Sequence, residues 1–423
     1  MAYRGKISMT LVVFTHTFPY GIAEWFLETE IPYLAQKFQK VIIVPLFKQG
    51  VPRSVPEGVI VDTSSRWYSE SWTMKRIIQS VFASVFFPPF YLDICNRPQT
   101  IVQMSVFLRL IGFVGKVSKT YQWLHSSFRK SYLEPKNTVF YTYWLGPQSF
   151  AVGLGKVKYP EIKLISRVHG LDLYEDRHLI PYVPLRKEQL QQIDRIFAIS
   201  EHGMRYLTEK YPFVGPRCEV SHLGVTDPGF STPSSTDGIF RIVSCSSLLP
   251  VKSLGLLIEG LSAFTTASVG LLIEWHHLGD GPMRSNLESM AENLLKSKVR
   301  WFFHGQLANS DVFEFYRTNQ IDVFVNVSKS EGIPVSIMEA QSCGIPVIAP
   351  SVGGIPEIVN SKNGVLLEKS PTPRSIARAL KIIASNKGES LSKRTASKRI
   401  WRSMYNADRN YNAFVDRIMK LFC

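Results

Sequence analysis

Short apolar runs rich in β-branched residues alternate with longer stretches of helical periodicity along most of this chain. Lys6–Thr15 and Lys40–Leu46 are mainly apolar runs, and Ala23–Phe38 between them carries apolar residues at helical spacing. Fully apolar strands that alternate with helices indicate a parallel sheet covered on both faces. The pattern therefore predicts an α/β fold. Further strands of this kind are predicted at Thr138–Thr142, Lys163–Val168 and Arg195–Ser200.

The alternation is interrupted at residues 231–238, where the sequence STPSSTDG has the composition of a linker. It then restarts as a second series of strands and helices that extends to about residue 350. We therefore predict two doubly wound domains, residues 1–232 and 236–399. Ligands of such sheets bind beyond the carboxyl ends of the strands, so a central cleft between the two domains is the expected place for a site.

Charge distinguishes this chain more than composition does. Apolar residues make up 45% of the chain, which excludes global disorder, and the formal net charge is +15. Trp67–Lys130 has eight basic and two acidic residues, and Asn386–Cys423 has nine basic and three acidic residues. Such a surplus predicts an anionic partner: nucleic acid, a membrane surface or a phosphate-bearing small molecule.

The five cysteines are widely spaced and include no C-x-x-C pair, which argues against a disulfide scaffold and a zinc site. Neither a signal peptide nor an apolar run long enough to cross a membrane is recognised, so we expect a cytoplasmic protein.

The segment 328–347 combines a strand, a glycine-containing turn, a helix and a second strand. Pro334 suits the first position of that helix, and a helix start has free N–H groups that favour phosphate oxygens. Glu331 in the turn and Glu339 in the helix could accept hydrogen bonds from sugar hydroxyls. Taken singly, each has an ordinary explanation as a helix-terminal acid or a solvated helix residue.

These residues resemble the E-x7-E signature of retaining glycosyltransferases of the GT-B fold, in the glycogen-synthase-like family four. The sequence that follows, CGIPVIAPSVGGIPEIV, and LGDGPMR before it also resemble that family. The resemblance implies two Rossmann-like domains that face a central cleft, with a last helix, 400–423, that packs back on the first domain.

The resemblance also implies roles for individual residues of the second half. Glu339 would hold the nucleotide ribose, Glu331 would face the hydroxyls of the donor sugar, and Lys252 would neutralise the diphosphate. Ser247 stands where the family usually has an arginine, and Arg284 or a cation of the first domain could replace it. The backbone that would bind the diphosphate comprises Gly332, Ile333, Pro334 and Val335.

In the first half, Arg167, His169 and Asp172 follow a predicted strand. They resemble the R-x-H-G-x-D-x-Y passage of relatives that build bacterial polysaccharides, which implies a sugar contact for His169 and a sugar-orienting or acceptor role for Arg167 and Asp172. Gly21 and Glu24 lie in the first strand–helix loop, where the family binds phosphate and acceptor. A structural hydrogen-bonding role for His169 and a simple turn at Gly21 remain open.

The function implied is transfer of a sugar, with retention, from a nucleotide-sugar to a hydroxyl of a lipid-linked glycan in O-antigen, capsule or exopolysaccharide synthesis. A UDP-sugar is favoured, GDP-mannose is the alternative, and neither a metal nor another cofactor is expected. The aromatic and basic segment Trp67–Lys130 suits insertion into an anionic leaflet and a peripheral membrane location, although its aromatic residues could equally be core. From another class, the charge alone permits a nucleic-acid-binding protein, but the sequence contains no motif for it.

Overall fold

The computed structural model describes residues 6–421 except 23, 49, 66–73, 99–101 and 179. These residues form two compact units, each with its own parallel sheet, so the predicted α/β class is confirmed. The N-terminal unit contains residues 1–199, 203–221 and 413–423, and the C-terminal unit contains residues 200–202 and 222–412.

The sheet of the N-terminal unit has seven parallel strands in the order β3-β2-β1-β4-β5-β6-β7. The central strands are fully buried, with Val12 of β1 level with Ile42 of β2 and Phe140 of β4. The strands are β1 Ile7–Thr15, β2 Phe38–Pro45, β3 Val59–Val61, β4 Thr138–Thr142, β5 Lys163–Val168, β6 Arg195–Ala198 and β7 Cys218–Val220. The helices of this part of the chain are α1 Phe26–Lys37, α2 Met74–Val85, α3 Pro88–Asn96, α4 Met104–Arg129, α5 Pro147–Gly155, α6 Arg186–Gln192 and α7 Glu201–Lys210.

The sheet of the C-terminal unit has six parallel strands in the order β10-β9-β8-β11-β12-β13. Its core is one cluster of apolar side chains that includes Trp275, Leu257 and Ile376. The strands are β8 Ile239–Cys245, β9 Leu272–Leu278, β10 Val299–Phe303, β11 Val323–Val325, β12 Val347–Pro350 and β13 Gly364–Leu367. The helices are α8 Leu254–Ala267, α9 Arg284–Leu295, α10 Asn309–Thr318, α11 Val335–Ser342, α12 Ile355–Ile358, α13 Pro373–Ser385, α14 Lys387–Ile400 and α15 Ala407–Met419.

Strand order reverses once in each sheet, between β1 and β4 in the N-terminal unit and between β8 and β11 in the C-terminal unit. At such a point the connections from neighbouring strands leave in opposite directions, which opens a crevice at the carboxyl edge of the sheet. A ligand site is therefore expected at the loops after β1, β4, β8 and β11.

The boundary between the units differs from the predicted one. The serine- and threonine-rich segment 231–238 lies in the C-terminal unit, because its backbone and side chains are bonded to that unit. Thr232 donates its backbone N–H to the carbonyl of Cys343 and its hydroxyl to the carbonyl of Tyr316, at 2.9 and 2.8 Å. The chain instead passes between the units near residue 221.

The C-terminal stretch also differs from the single predicted helix that begins at residue 400. A π-helical turn, Trp401–Tyr405, separates α14 from α15, and residues up to 412 belong to the C-terminal unit. Trp401 is buried there and its indole N–H donates to the carbonyl of Val225 at 3.2 Å. Only residues 413–423 join the N-terminal unit, where Phe414 packs against Phe197.

The basic and aromatic segment is helical, as predicted, and breaks at Phe87–Pro89, where Pro88 begins α3. Trp67, Tyr68 and Trp72 lie outside the described residues. Among the residues described, no single helix is long and apolar enough to cross a membrane. The helices Ile77–Val85 and Pro88–Asn96 are bent by 84° relative to each other. Only when the two are taken together are they long and apolar enough for a membrane span.

Candidate functional site

The loops that follow β8 and β11 meet at the carboxyl edge of the C-terminal sheet. The backbone N–H of Lys329 donates to the carbonyl of Val251 at 2.8 Å, which fixes the two loops in register. This contact brings the next residue of one loop, Lys252, to Glu331 of the other. The ammonium Nζ of Lys252 lies 2.6 Å from the carboxylate of Glu331. Two of the predicted site residues, separated by 79 positions, are therefore in direct contact.

A glycine pair holds the turn that contains Glu331. Gly353 has a positive φ of 53°, and a Cβ at this position would lie 1.8 Å from the carbonyl oxygen of Glu331. The N–H of Gly354 donates to the carbonyl of Gly332 at 2.7 Å. The pair is thus required for the close approach of two backbone segments.

The helix α11 starts one residue later than predicted. Pro334 is the N-cap residue, and Val335 is the first helical residue. The carbonyl of Pro334 accepts the N–H groups of Ile337 and Met338 at 3.1 and 3.4 Å. The N–H groups of the first helical residues have no carbonyl to bond within a helix, so this start remains suited to an anion. Gly332, Ile333, Pro334 and Val335 form the connection from Glu331 into this helix start.

The side chain of Glu339 is buried within the C-terminal unit, at 2% exposure. Burial raises the pKa of its carboxyl group to about 8, although a hydrogen bond from the side-chain amide of Asn309 partly offsets this rise. Asn309 is the first residue of α10 and was not predicted. A lone Asn carries no sequence signal, because only the folding of α10 against α11 brings it to Glu339.

Arg284, the predicted replacement for the missing arginine within this unit, is engaged by other residues. Ser247 is exposed after β8. The guanidinium of Arg284 pairs with Asp280 and Glu288 at 3.1 and 2.8 Å and donates to the carbonyl of Phe303. The charge of Arg284 is therefore compensated within the loop and helix that carry it.

In the N-terminal unit, the carboxylate of Glu24 organises the loop after β1. It accepts the backbone N–H groups of His16, Thr17 and Phe18 at 2.9, 2.6 and 2.8 Å, and the indole N–H of Trp144. A carboxylate offers about four acceptor positions, so these donors occupy it. The predicted acceptor or sugar-orienting role of Glu24 is therefore corrected to positioning of the loop.

Gly21, in the same loop, has a positive φ of 68°. Its N–H donates to the carbonyl of Val51 at 3.1 Å, and a Cβ on neighbouring Gly50 would lie 2.8 Å from its Cα. The positive φ favours glycine at position 21, and the close approach of the two loops explains the glycine at position 50.

Arg167 is fully buried and takes no part in an exposed site, which corrects the prediction that it orients a sugar or acceptor. Its guanidinium pairs with Glu30 at 3.3 Å and donates to the Tyr141 hydroxyl and the Ser221 carbonyl at 2.8 and 2.9 Å. The ring of Phe414 stacks 4.2 Å from its Cζ. Arg167 is a residue of β5 and its side chain is fully buried, whereas His169 follows the end of β5 at Val168 and belongs to the loop.

His169 and Asp172 form a compact turn after β5. The carboxylate of Asp172 accepts the backbone N–H groups of His169 and Leu145 at 2.8 and 2.9 Å, which joins the loops after β4 and β5. Asp172 is therefore a positioning residue in this structure. The ring of His169 packs on Trp144 and Tyr143, with centroids 4.4 and 4.6 Å apart.

Both ring nitrogens of His169 are buried, and neither has a hydrogen-bond partner within the described part of the chain. Among the predicted residues of this unit, His169 thus retains polar atoms for a ligand. Trp144 was not predicted, although its place directly after the strand β4 was a signal that could have identified it.

No cluster of three or more His, Cys, Asp or Glu side chains that could hold a metal ion occurs among the residues that the structure describes.

Comparison with known proteins finds a family match within the C-terminal unit. Residues 235–400 match the family described as Glycosyl transferases group 1. The chain is 31% identical to a phosphatidylinositol N-acetylglucosaminyltransferase subunit of Arabidopsis thaliana over 250 residues, which are 57% of this chain and 54% of that protein. It is 28% identical to the putative colanic acid biosynthesis glycosyltransferase WcaL of Escherichia coli (strain K12), over 52% of this chain and 53% of that protein. The chain thus spans about half the length of the curated relatives it matches.

Solved structures cover nearly the whole chain. HepE of Anabaena in complex with UDP and glucose matches with a TM-score of 0.65 at 14% identity, over 97% of this chain and 99% of that chain. The sucrose-phosphate synthase of Thermosynechococcus elongatus matches with a TM-score of 0.71 at 14% identity, over 98% and 99%. At this identity the likeness shows the fold alone. The chain therefore has the GT-B fold, and its residues 235–400 match the family of glycosyl transferases group 1.

Proposed function

We propose that this protein is a retaining glycosyltransferase that moves a sugar from a nucleotide-sugar to a hydroxyl group of a lipid-linked glycan. The observation that carries this proposal is the contact of Lys252 with Glu331 beside the start of α11. The ammonium group of Lys252 and the N–H groups at the start of α11 can bind phosphate oxygens, and the carboxylate of Glu331 can bind hydroxyls. Together they match a ligand in which a diphosphate is joined to a sugar.

The charges that develop during sugar transfer explain the separate roles proposed for Lys252, the start of α11 and Glu331. Positive charge builds on the sugar ring and negative charge on the departing diphosphate, so catalysis depends on positioning and electrostatic stabilisation. Lys252 donates one hydrogen to Glu331, and an ammonium group carries three donors, so phosphate oxygens can bind the others. The N–H groups at the start of α11 add a second stabilising contribution. In this proposal Glu331 orients the donor sugar through its hydroxyls.

Glu339 and Asn309 are proposed to bind the ribose of the donor. The ionised carboxylate accepts hydrogen bonds from two vicinal hydroxyls, while the amide of Asn309 fixes its orientation. In the N-terminal unit, we propose that the ring nitrogens of His169 bind a sugar hydroxyl, since they are buried and carry no other hydrogen bond among the described residues.

A UDP-sugar is the favoured donor, and the HepE structure, which contains UDP and glucose, supports it. GDP-mannose is the alternative, supported by a Corynebacterium glutamicum relative, 30% identical over 139 residues, whose name states GDP-mannose dependence. We propose that transfer requires no metal, so activity should persist in a chelator.

The acceptor is proposed to be a lipid-linked intermediate of O-antigen, capsule or exopolysaccharide assembly, at the cytoplasmic face of a membrane with an anionic surface. Relatives named for colanic acid and amylovoran biosynthesis support a role in polysaccharide assembly. The relative named for phosphatidylinositol supports an acceptor that is linked to a lipid. The net charge of +15 supports the anionic surface.

A thermal-shift panel of UDP, GDP, ADP and their sugars tests the donor site. A nucleotide at 100 times its Kd stabilises the protein by about 2.7 kcal/mol, and we expect one base to do so. Glu339→Ala should abolish the shift, whereas Glu314→Ala, an exposed glutamate on α10, should retain it. Transfer from the selected donor to lipid extracts, with the new linkage examined by NMR, tests the reaction and its retention. Stabilisation by no nucleotide, or full transfer by Glu339→Ala, would contradict the proposal.

A further inference from the structure

The helix α2 is oriented with its apolar side outward. Its serines Ser80 and Ser84 are buried, at 4% and 2% exposure, and the hydroxyl of Ser84 donates to the carbonyl of Ser80 at 2.8 Å. By contrast, Phe82 and Phe86 are 67% and 71% exposed. A helix on the surface of a protein in water normally buries its apolar stripe and exposes its polar one. The arrangement of α2 is the reverse.

The helix α3 continues the same surface. Its acidic residue, Asp93, is buried and accepts hydrogen bonds from the Tyr182 hydroxyl and the Leu185 N–H at 2.5 and 2.9 Å. Tyr91 and Leu92, which precede it, are about half exposed. Together α2 and α3 expose a set of apolar side chains, which we call the α2–α3 face, defined by Ile78, Val81, Phe82, Val85, Phe86, Tyr91 and Leu92. Apolar patches of this kind mark a contact with a protein or a membrane.

A groove runs beside this face. It lies between α2, α4 and the end of α5, has a volume of about 950 Å³, and is lined mainly by apolar side chains. Phe82 and Phe86 belong both to the groove and to the α2–α3 face. The remaining apolar lining includes Val117, Tyr121, Leu154 and Val157. The volume is within the range of about 300–1,000 Å³ that is usual for ligand sites.

Charge distinguishes between the partners that an apolar face could bind. The segment Trp67–Lys130 has eight basic residues and two acidic ones, Glu70 and Asp93, and the latter is buried. Lys119 lines the groove itself. A second copy of this chain would bring like charges together, whereas an anionic leaflet attracts them. An exposed apolar helix face in a segment rich in basic residues is typical of helices that lie in a membrane surface.

We propose that the α2–α3 face lies in the leaflet of an anionic membrane and that the groove holds one hydrocarbon chain of a membrane lipid. This proposal rests on the proposed function, because the lipid-linked acceptor is what brings the protein to a membrane. It identifies the surface of the protein that contacts that membrane. Four other aromatic residues of the segment are buried in the core, namely Phe90, Phe113, Trp123 and Phe128. For these four, the alternative that the aromatic residues of the segment are core is confirmed.

Vesicle co-sedimentation of the full chain tests the docking surface. We expect binding to vesicles of phosphatidylglycerol and phosphatidylcholine, weaker binding at high salt, and little binding to phosphatidylcholine alone. The double variant Phe82→Ser/Phe86→Ser should reduce binding by about tenfold or more, because two exposed aromatic rings no longer enter the leaflet. The matched control Val269→Ser/Leu391→Ser removes exposed apolar side chains of the C-terminal unit and should bind like the wild type.

Photoreactive phosphatidylglycerol with the reactive group in its acyl chain tests the groove. Crosslinks are expected within residues 78–89, 117–122 and 154–157, and Ala83→Trp, which fills the groove, should reduce them while leaving the melting temperature unchanged. Crosslinks elsewhere, or crosslinks unaffected by Ala83→Trp, would refute the groove as a chain site.

The docking surface would be wrong if the double variant bound vesicles like the wild type, or if sedimentation showed a dimer that the double variant dissociates. Nucleotide-induced thermal shifts provide the independent readout. A wild-type protein that binds UDP or GDP but no vesicle contradicts only this inference. A protein that binds vesicles as expected but no nucleotide contradicts only the proposed donor site.

Discussion

Glu339 shows how burial changes the chemistry of one residue. Its carboxyl group has an amide donor, Asn309, and its pKa is raised from 4.5 to about 8 by loss of water. Between these two pKa values the folded state keeps the proton of Glu339, whereas the unfolded state releases it. The contribution of this carboxyl group to the unfolding free energy is therefore fully present below about pH 4.5 and is lost as pH rises through about 8. A bound ribose would favour the ionised form, since its hydroxyls are donors.

Glu339→Gln should therefore remove one component of the pH dependence of stability. Between pH 5 and 8 the wild type should lose up to about 1.4 kcal/mol of unfolding free energy per pH unit from this group, and the variant should lose none of that component. Denaturation of both proteins at several pH values measures the difference, in which other titrating groups cancel. A difference that stays constant from pH 5 to 8 would show that Glu339 does not titrate there.

Arg167 and His169 are two positions apart, yet they belong to different environments. Arg167→Met leaves Glu30 buried without its ion pair and should reduce the unfolding free energy by about 3–5 kcal/mol. Arg317→Met removes an exposed pair with Glu314 and should have little effect on the unfolding free energy. Chemical denaturation compares them, and an equal effect of the two variants would exclude a structural role for the buried pair.

At the scale of elements, the site of the C-terminal unit depends on a contact between two turns. The turn at Gly353 lies against the Glu331 carbonyl, so the position of Glu331 is set by a segment 22 residues further along the chain. The start of α11 and the loop of Lys252 are fixed in the same way, by contacts of backbone with backbone.

Gly353→Ala should therefore disturb the turn more than strain alone would. Its matched control is Gly270→Ala, which also has a positive φ but where an added Cβ would meet no atom within 4 Å. We expect a loss of about 1 kcal/mol for Gly270→Ala and of more than about 2 kcal/mol for Gly353→Ala, which should also lose nucleotide-induced stabilisation. Thermal melts with and without nucleotide provide both readouts, and identical behaviour of the two variants would contradict the close approach.

At the scale of the whole molecule, the segment 231–238 illustrates the limit of composition as a guide. Its serines, prolines and threonines indicate a linker, but the buried Arg394 of α14 donates to the carbonyls of Ile321 and Thr232. The segment is thereby part of the C-terminal unit.

Arg394→Ala should release this segment. We expect faster cleavage within residues 231–238 under limited proteolysis and a lower melting temperature, because the variant leaves the Thr232 and Ile321 carbonyls without this donor. Arg399→Ala, at an exposed position of the same helix, is the control and should be cleaved like the wild type. Resistance of Arg394→Ala to cleavage would argue for other, sufficient anchors.

Much of the architecture was predictable because periodicity records burial. Thr138–Thr142 and Lys163–Val168 have the predicted bounds, since short runs rich in β-branched and aromatic residues between turn signals favour buried strands. The break in the last helix was not predictable, because Trp401 and Tyr405 fit the same helical spacing whether or not a π turn separates them. Three-residue strands such as β3 are too short to show a period.

The sequence by itself determined the α/β class, the family that residues 235–400 match and the residue types of the proposed donor site, because strands, turns and a helix start leave local patterns. Only the tertiary structure decided which of those residues meet. It joined Lys252 to Glu331, supplied Asn309 to Glu339 and buried Arg167 and Glu24 in structural bonds. It also turned the apolar side of α2 outward. These outcomes depend on contacts between residues that are distant along the chain, which no local pattern specifies.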